Sequence, residues 1–171
     1  MQNVDFVTAI KLFFANYVNF KGRSTRAEYW WAMLFVFIAG LISNFLGDMI
    51  SGLIALALFL PQLAILTRRF HDTGRSGWWV ILLVIVSLIG ICIAVMPIAS
   101  SMAEAQNHPE ILIDAIKSHL GTVSLGYGIA IIAGIVGLVF CLLPSGPDNK
   151  YGPNPYLYLI HIRRSRRLVE S

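Results

Sequence analysis

The sequence predicts an all-α membrane protein: four transmembrane helices in a bundle, preceded by an N-terminal interfacial amphipathic helix, with both termini cytoplasmic. Three observations predict it. Only 13% of the 171 residues are charged, against about 25% in soluble proteins. Hydrophobic residues make up 57% and mean hydropathy is +0.71. Apolar runs approaching or exceeding the length that crosses a bilayer, about 20 residues for a core about 30 Å thick, recur along the whole chain. This composition excludes a secreted disulfide scaffold, a disordered tail and a water-soluble enzyme.

Residues 4–19 form the first element, because Phe6, Val7, Ile10, Phe13, Phe14, Tyr17 and Val18 recur at helical spacing around Asp5, Lys11 and Asn16. Such a helix lies flat on the inner leaflet, or packs against the protein's own loops. Spans follow at 29–46 and 53–67, on either side of Gly47, Asp48, Ser51 and Gly52, whose turn chemistry makes the pair a tight helical hairpin. The third and fourth spans are 78–102 and 120–143, separated by a polar stretch in which Pro109 suits the first turn of a short helix. A basic cytoplasmic tail occupies 144–171, and the whole chain reads as a single integral membrane domain.

Orientation follows from Lys and Arg, which are retained on the cytoplasmic side. Lys11, Lys21, Arg23 and Arg26 precede the first span; Arg68, Arg69 and Arg75 follow the second; Lys150, Arg163, Arg164, Arg166 and Arg167 follow the fourth. Of the 13 Lys and Arg only Lys117 falls elsewhere, and the first and third loops instead carry Asp48, Glu104, Glu110 and Asp114. An even number of spans independently puts both termini on one side. Basic charge spread over three juxtamembrane segments faces anionic lipid head groups, so no nucleic-acid partner is expected. Asp5 and the basic residues before position 29 also argue against a cleavable signal peptide.

Three polar, aromatic-rich stretches fall on the inner face: Phe20 to Trp31 (FKGRSTRAEYWW), Arg68 to Trp79 (RRFHDTGRSGWW) and Gly146 to Pro155 (GPDNKYGPNP). In this order and content the chain resembles the domain-of-unknown-function 805 family, small bacterial inner-membrane proteins described as YhaH-like, from about Phe13 to Tyr156. The resemblance implies a multi-pass helical fold in the bacterial inner (plasma) membrane. It supplies no catalytic residue, substrate or cofactor. The third loop, with Asn107, His108, Pro109 and Glu110, looks longer than the family's.

Each stretch has a structural explanation. Thr25 and Glu28 form a capping box at the start of the first span. Trp30, Trp31, Trp78 and Trp79 anchor at the head groups. Arg68, Arg69 and His71 close the second span, reaching phosphate by snorkelling, and Gly74 ends it. Convergence on one surface makes Arg23, Arg26, Glu28, Arg68, Arg69, His71, Asp72, Trp78, Trp79, Asp148 and Asn149 a candidate cytoplasmic-face cluster. Internal ion pairing leads among its uses, ahead of an anionic head-group pocket and, last, chemistry. His71 with Asp72 suggests a phosphohydrolase only if several further His or Asp ligands join them; of the other histidines, His108, His119 and His161, the first two face the opposite side. No catalytic, cofactor or metal site is expected. Cys92 and Cys141 are placed deep in spans three and four, buried and too few for a cluster.

The span interiors carry no ionisable residue, which argues against a proton or ion path. Gln62 beside Pro61, and Pro97, predict kinks, with ion coordination the sharper alternative. Small residues repeat every fourth position at Gly126, Ala130 and Gly134, at Ala133 and Gly137, and at Ala39, Ser43 and Gly47. These are close-packing faces, within one chain or in a homo-oligomer. The expectation is a non-enzymatic accessory or scaffold protein whose cytoplasmic rim contacts lipid head groups or a partner. The rivals are a small oligomeric channel or exporter, and a lipid-phosphate enzyme.

Overall fold

The computed structural model describes residues 4–104 and 109–154. Its elements are α1 (Phe6–Ala15), α2 (Arg26–Ser43), α3 (Asp48–Asp72), α4 (Trp78–Val95), a 3-10 turn (Met96–Ile98), α5 (Ala99–Glu104), α6 (Pro109–Ser118) and α7 (Leu120–Leu142). No strand occurs among the described residues; Asn149 and Gly152 form an isolated bridge. Three helices are long and apolar enough to cross a membrane: Asp48–Asp72, Trp78–Met102 and Leu120–Leu142. Outward-facing side chains such as Phe45 (90% exposed), Met49 (81%) and Leu56 (69%) suit lipid rather than water.

The first expected span is helical but is not among those three. Its opening turn holds Arg26 and Glu28, and it stops at Ser43, before the expected end at 46. The chain then turns through 44–47, earlier than expected, because Gly47 enters α3 at φ +89°, a conformation open to glycine. Ser51 Oγ donates to Ser43 O at 2.6 Å and ties the two helices together there. Asp48 to Gly52 therefore belong to α3, and Pro61 lies buried within the same helix. At its other end α3 runs five residues past 67, to Asp72, since the charged residues of its last turns find partners inside the protein. Gly74 then closes it at φ +79°. Gly74 N–H donates to His71 O at 3.0 Å and Arg75 N–H to Phe70 O at 3.0 Å, the paired bonds of a Schellman end.

The described residues divide into two compact units. The first comprises Met1–Val80 and Phe140–Ser171. Its core is Phe13, Ala32, Leu58 and Ile65, with Tyr29, Met33, Phe35, Val36, Ala39 and Ile54 packed around it. The N-terminal helix packs on α2, a helix rather than a loop. Ala9 and Phe13 are fully buried, and the Phe6 ring meets Trp31 edge-on at 5.8 Å, as Phe14 meets Phe35 at 5.7 Å.

The second unit is Ile81–Val139. Here the small-residue pattern is used directly: an ideal Cβ on Gly126 would lie 2.5 Å from both Gly90 O and Ala94 N, so the two backbones touch. Gly134, in the same repeat, has open space beside it. Pro97 produces the 3-10 turn rather than a simple kink. Cys92 is exposed on α4, not buried as expected, because a helix apolar on every side gives no signal of which face turns inward. The basic tail beyond 154, together with Asn107 and His108, lies outside the described residues.

Candidate functional site

All of the site lies in the first unit, where the ends of α2, α3 and α7 present three polar segments to one another. Its centre is Asp72, in the last turn of α3 and fully buried. Its Oδ1 accepts from Arg23 Nε at 3.0 Å and pairs with Nη2 at 2.9 Å. Its Oδ2 accepts from Arg69 Nη1 and from Ser145 Oγ. Both carboxylate oxygens are thus committed, each to a buried cation.

The two arginines finish their hydrogen bonding on backbone carbonyls. Arg23 Nη1 donates to Pro147 O at 2.8 Å and Gly152 O at 3.1 Å; Nη2 donates to Gly146 O at 2.8 Å and Asp72 O at 3.1 Å. Arg69 Nε donates to Cys141 O at 3.2 Å and Nη2 to Leu143 O. Those last carbonyls belong to the end of α7, where a helix leaves acceptors without partners, so a side chain from α3 caps α7. Arg69 is fully buried; it does not snorkel towards head groups as expected, because Asp72 and these carbonyls satisfy it inside the protein. Cys141 sits in this same last turn, not deep in a span.

His71 ties the third segment in. Its ring stacks on Tyr151 at 3.7 Å and 3°, its Nδ1 faces Gly22 O at 3.3 Å, and its own carbonyl accepts from Asn149 Nδ2 at 2.9 Å. A carbonyl at Nδ1 fixes the proton there. Asp148 accepts from the Asn154 N–H at 2.7 Å and closes the 148–154 turn. Gly77 passes beneath His71: a Cβ there would come 2.7 Å from Thr67 Cγ2 and 3.2 Å from His71 Nε2. Gly77→Ala is expected to cost about 1–3 kcal/mol, read as a lower unfolding temperature in detergent. Thr67→Ser on the same chain removes the obstructing methyl and should recover most of the loss.

A second pair lies alongside. Thr25 Oγ1 accepts the Glu28 N–H at 3.2 Å, as a cap should. The Glu28 carboxylate, however, also accepts from Ser24 Oγ at 3.0 Å and Arg68 Nη1 at 3.3 Å. Arg68 is also buried, so it too fails to snorkel, and its Nε and Nη2 have no acceptor among the described residues. Breaking a buried pair of this kind leaves an uncompensated buried charge.

The structure therefore brings together Arg23, Glu28, Arg68, Arg69, His71, Asp72, Asp148 and Asn149. It leaves Arg26 and Trp78 exposed. Trp79 instead meets Phe140 edge-on at 6.1 Å, with the Arg75 guanidinium 4.0 Å over the same ring. Ser24, Ser145 and Tyr151 were not singled out by the sequence, although all three adjoin or fall within the signature stretches. No group of three or more His, Cys, Asp or Glu among the described residues is placed to hold a metal ion.

A family model described as "Protein of unknown function (DUF805)" matches residues 17–153. The chain belongs to this family. Among curated relatives, the inner membrane protein YhaH of Escherichia coli (strain K12) is 40% identical over 81 residues, 41% of this chain and 67% of YhaH. The inner membrane protein YhaI of the same strain is 49% identical over 74 residues, 39% of this chain and 63% of YhaI. The uncharacterized protein YiiR is 35% identical over 75 residues, half of its length. No solved structure matches the chain. As a member of the DUF805 family with apolar, span-length helices, the chain is similar to proteins of the bacterial inner membrane, and its relatives carry no assigned activity.

Proposed function

We propose that this protein is a non-catalytic accessory or scaffold of the inner membrane, crossing it four times with both termini in the cytoplasm. The buried cluster serves as a latch that fixes a cytoplasmic rim for contact with lipid head groups or a protein partner. The observation that carries this reading is the saturation of Asp72, Arg23 and Arg69 by one another and by the carbonyls of 141–152. A carboxylate held by Arg23, Arg69 and Ser145 has little capacity left for a substrate or a metal. Arginines spent on backbone carbonyls have little left for an external phosphate.

Four crossings require α2 to span as well. At 18 residues it covers about 27 Å, a little short of the hydrocarbon core, which local thinning accommodates at modest cost. Sidedness is tested by cysteine labelling of whole cells in a Cys92→Ser background with a membrane-impermeant maleimide. Asp114→Cys, at a position 79% exposed in α6, is expected to react from outside. Lys150→Cys is expected to react only after the inner membrane is opened. The reverse pattern, or both positions reacting from one side, overturns the four-span arrangement.

A further inference from the structure

The N-terminal segment does more than pack on α2. Ser24 N–H donates to Arg68 O at 3.2 Å, which fixes residue 24 at the level of the charged cluster. Seven residues earlier, Tyr17 Oη donates to Ala57 O. Ala57 and Arg68 lie on the same helix, separated by about 16 Å at ~1.5 Å per residue. The Tyr17 hydroxyl therefore reaches far along the apolar part of α3, and the chain climbs back to the cluster between 17 and 24.

A turn at that depth must satisfy its own polar groups, because hydrocarbon offers no partners. Here the two asparagine side chains meet part of that need. Asn16 N–H and Asn16 Nδ2 both donate to Leu12 O, at 3.1 and 2.9 Å; Tyr17 N–H donates to Phe14 O at 3.2 Å. Asn19 N–H donates to Asn16 O at 3.1 Å and its Nδ2 to Asn16 Oδ1 at 2.9 Å, while Lys21 N–H donates to Asn19 Oδ1 at 3.1 Å. Outward, the segment shows Val18 (64% exposed) and Phe20. A hollow of about 490 Å³ lies against Ala15, Tyr17, Val18, Asn19, Phe20 and Lys21. Its lining sets the apolar side chains of Ala15, Val18 and Phe20 beside one basic residue, Lys21.

We infer that α1 and the 16–21 turn form a wedge inserted into one leaflet, and that the hollow it makes seats an anionic glycerophospholipid with its phosphate at Lys21. Apolar side chains beside one cation complement the acyl chains and the phosphate of that lipid. The inference deepens the lipid-contact reading above and moves the contact away from the saturated arginines. It does not depend on which side of the membrane the rim faces, so it and the labelling pattern at 114 and 150 fail separately.

The test uses full-length protein in vesicles of phosphatidylglycerol and phosphatidylcholine, in the Cys92→Ser background. A nitroxide at Val18→Cys is expected to collide with oxygen in preference to a water-soluble nickel chelate, as one at Leu56→Cys on α3 does. One at Lys150→Cys should show the opposite. A Val18 label that behaves like the Lys150 label overturns the wedge. Association of spin-labelled phosphatidylglycerol relative to spin-labelled phosphatidylcholine is then compared between wild type, Lys21→Gln and Lys21→Arg. Loss of one near-surface cation should lower the preference about fivefold in Lys21→Gln, with Lys21→Arg retaining it. An unchanged preference in a folded Lys21→Gln overturns the lipid site even when the depth result stands.

Discussion

Asp72→Ala is expected to leave little folded protein. The substitution strips the only carboxylate seen between Arg23 and Arg69, both buried, and breaking a buried pair by removing one partner costs about 3–5 kcal/mol. Here a single residue serves two cations, so the loss lies at the upper end of that range. The readout is the monodisperse fraction after detergent extraction, together with the unfolding temperature of whatever survives. Asp72→Asn keeps an acceptor at Oδ1 and should lose less. Asp148→Asn, whose carboxylate accepts a backbone N–H of its own turn, should stay within about 1 kcal/mol of wild type. An Asp72→Ala protein as stable as wild type would remove the latch from the proposed function. If it had also lost a phosphate-releasing activity, Asp72 would have to be moved to a catalytic role.

Gly126→Val is expected to be the most damaging change in the second unit. A Cβ at this position would lie 2.5 Å from Gly90 O and Ala94 N and 2.8 Å from Ala94 Cβ. The obstacle is mostly backbone, which cannot rotate out of the way as a side-chain tip can. Separating α4 from α7 enough to admit the side chain forfeits the dispersion contacts that hold helices together in lipid, and a cost of at least about 3 kcal/mol is expected from overpacking of this kind. Gly128, two residues on, has nothing within 4 Å of its Cβ position. Gly128→Ala should therefore be neutral or gain up to about 1 kcal/mol of helix propensity. Opposite signs for two neighbouring glycines, measured by unfolding in the same detergent, would establish the crossing point. Equal effects would place it elsewhere.

The parts of this site that could be read in the sequence are those written in side chains. Basic and acidic residues gathered in three stretches announced a charged cluster, and Thr25 followed by Glu28 announced where α2 begins. What escaped was written in the backbone. The carbonyls of Cys141, Leu143, Gly146, Pro147 and Gly152 hold two arginines, and no residue letter marks an acceptor carbonyl. Arginines at a helix end were expected to extend towards phosphate, since water and head groups are the default there; only the tertiary fold shows acceptors waiting inside. The end of α3 was missed for the same reason: Arg68, Arg69, His71 and Asp72 read as a solvated boundary until each had a buried partner. In α4 the difficulty was different. A helix apolar on all sides has no periodic contrast, so the exposed face of Cys92 left no trace in the order of residues.

The capping of α7 by Arg69 carries a consequence for biogenesis. Arg23, Arg69 and Asp72 are synthesised before Ser145 and the carbonyls at 141–152, which lie about seventy residues or more further along the chain. Until then two guanidinium groups share one carboxylate with most of their donors unfilled, at the margin of a bilayer. The later segment therefore closes the assembly, and a nascent chain halted before residue 141 holds Arg23 and Arg69 with their backbone acceptors still missing.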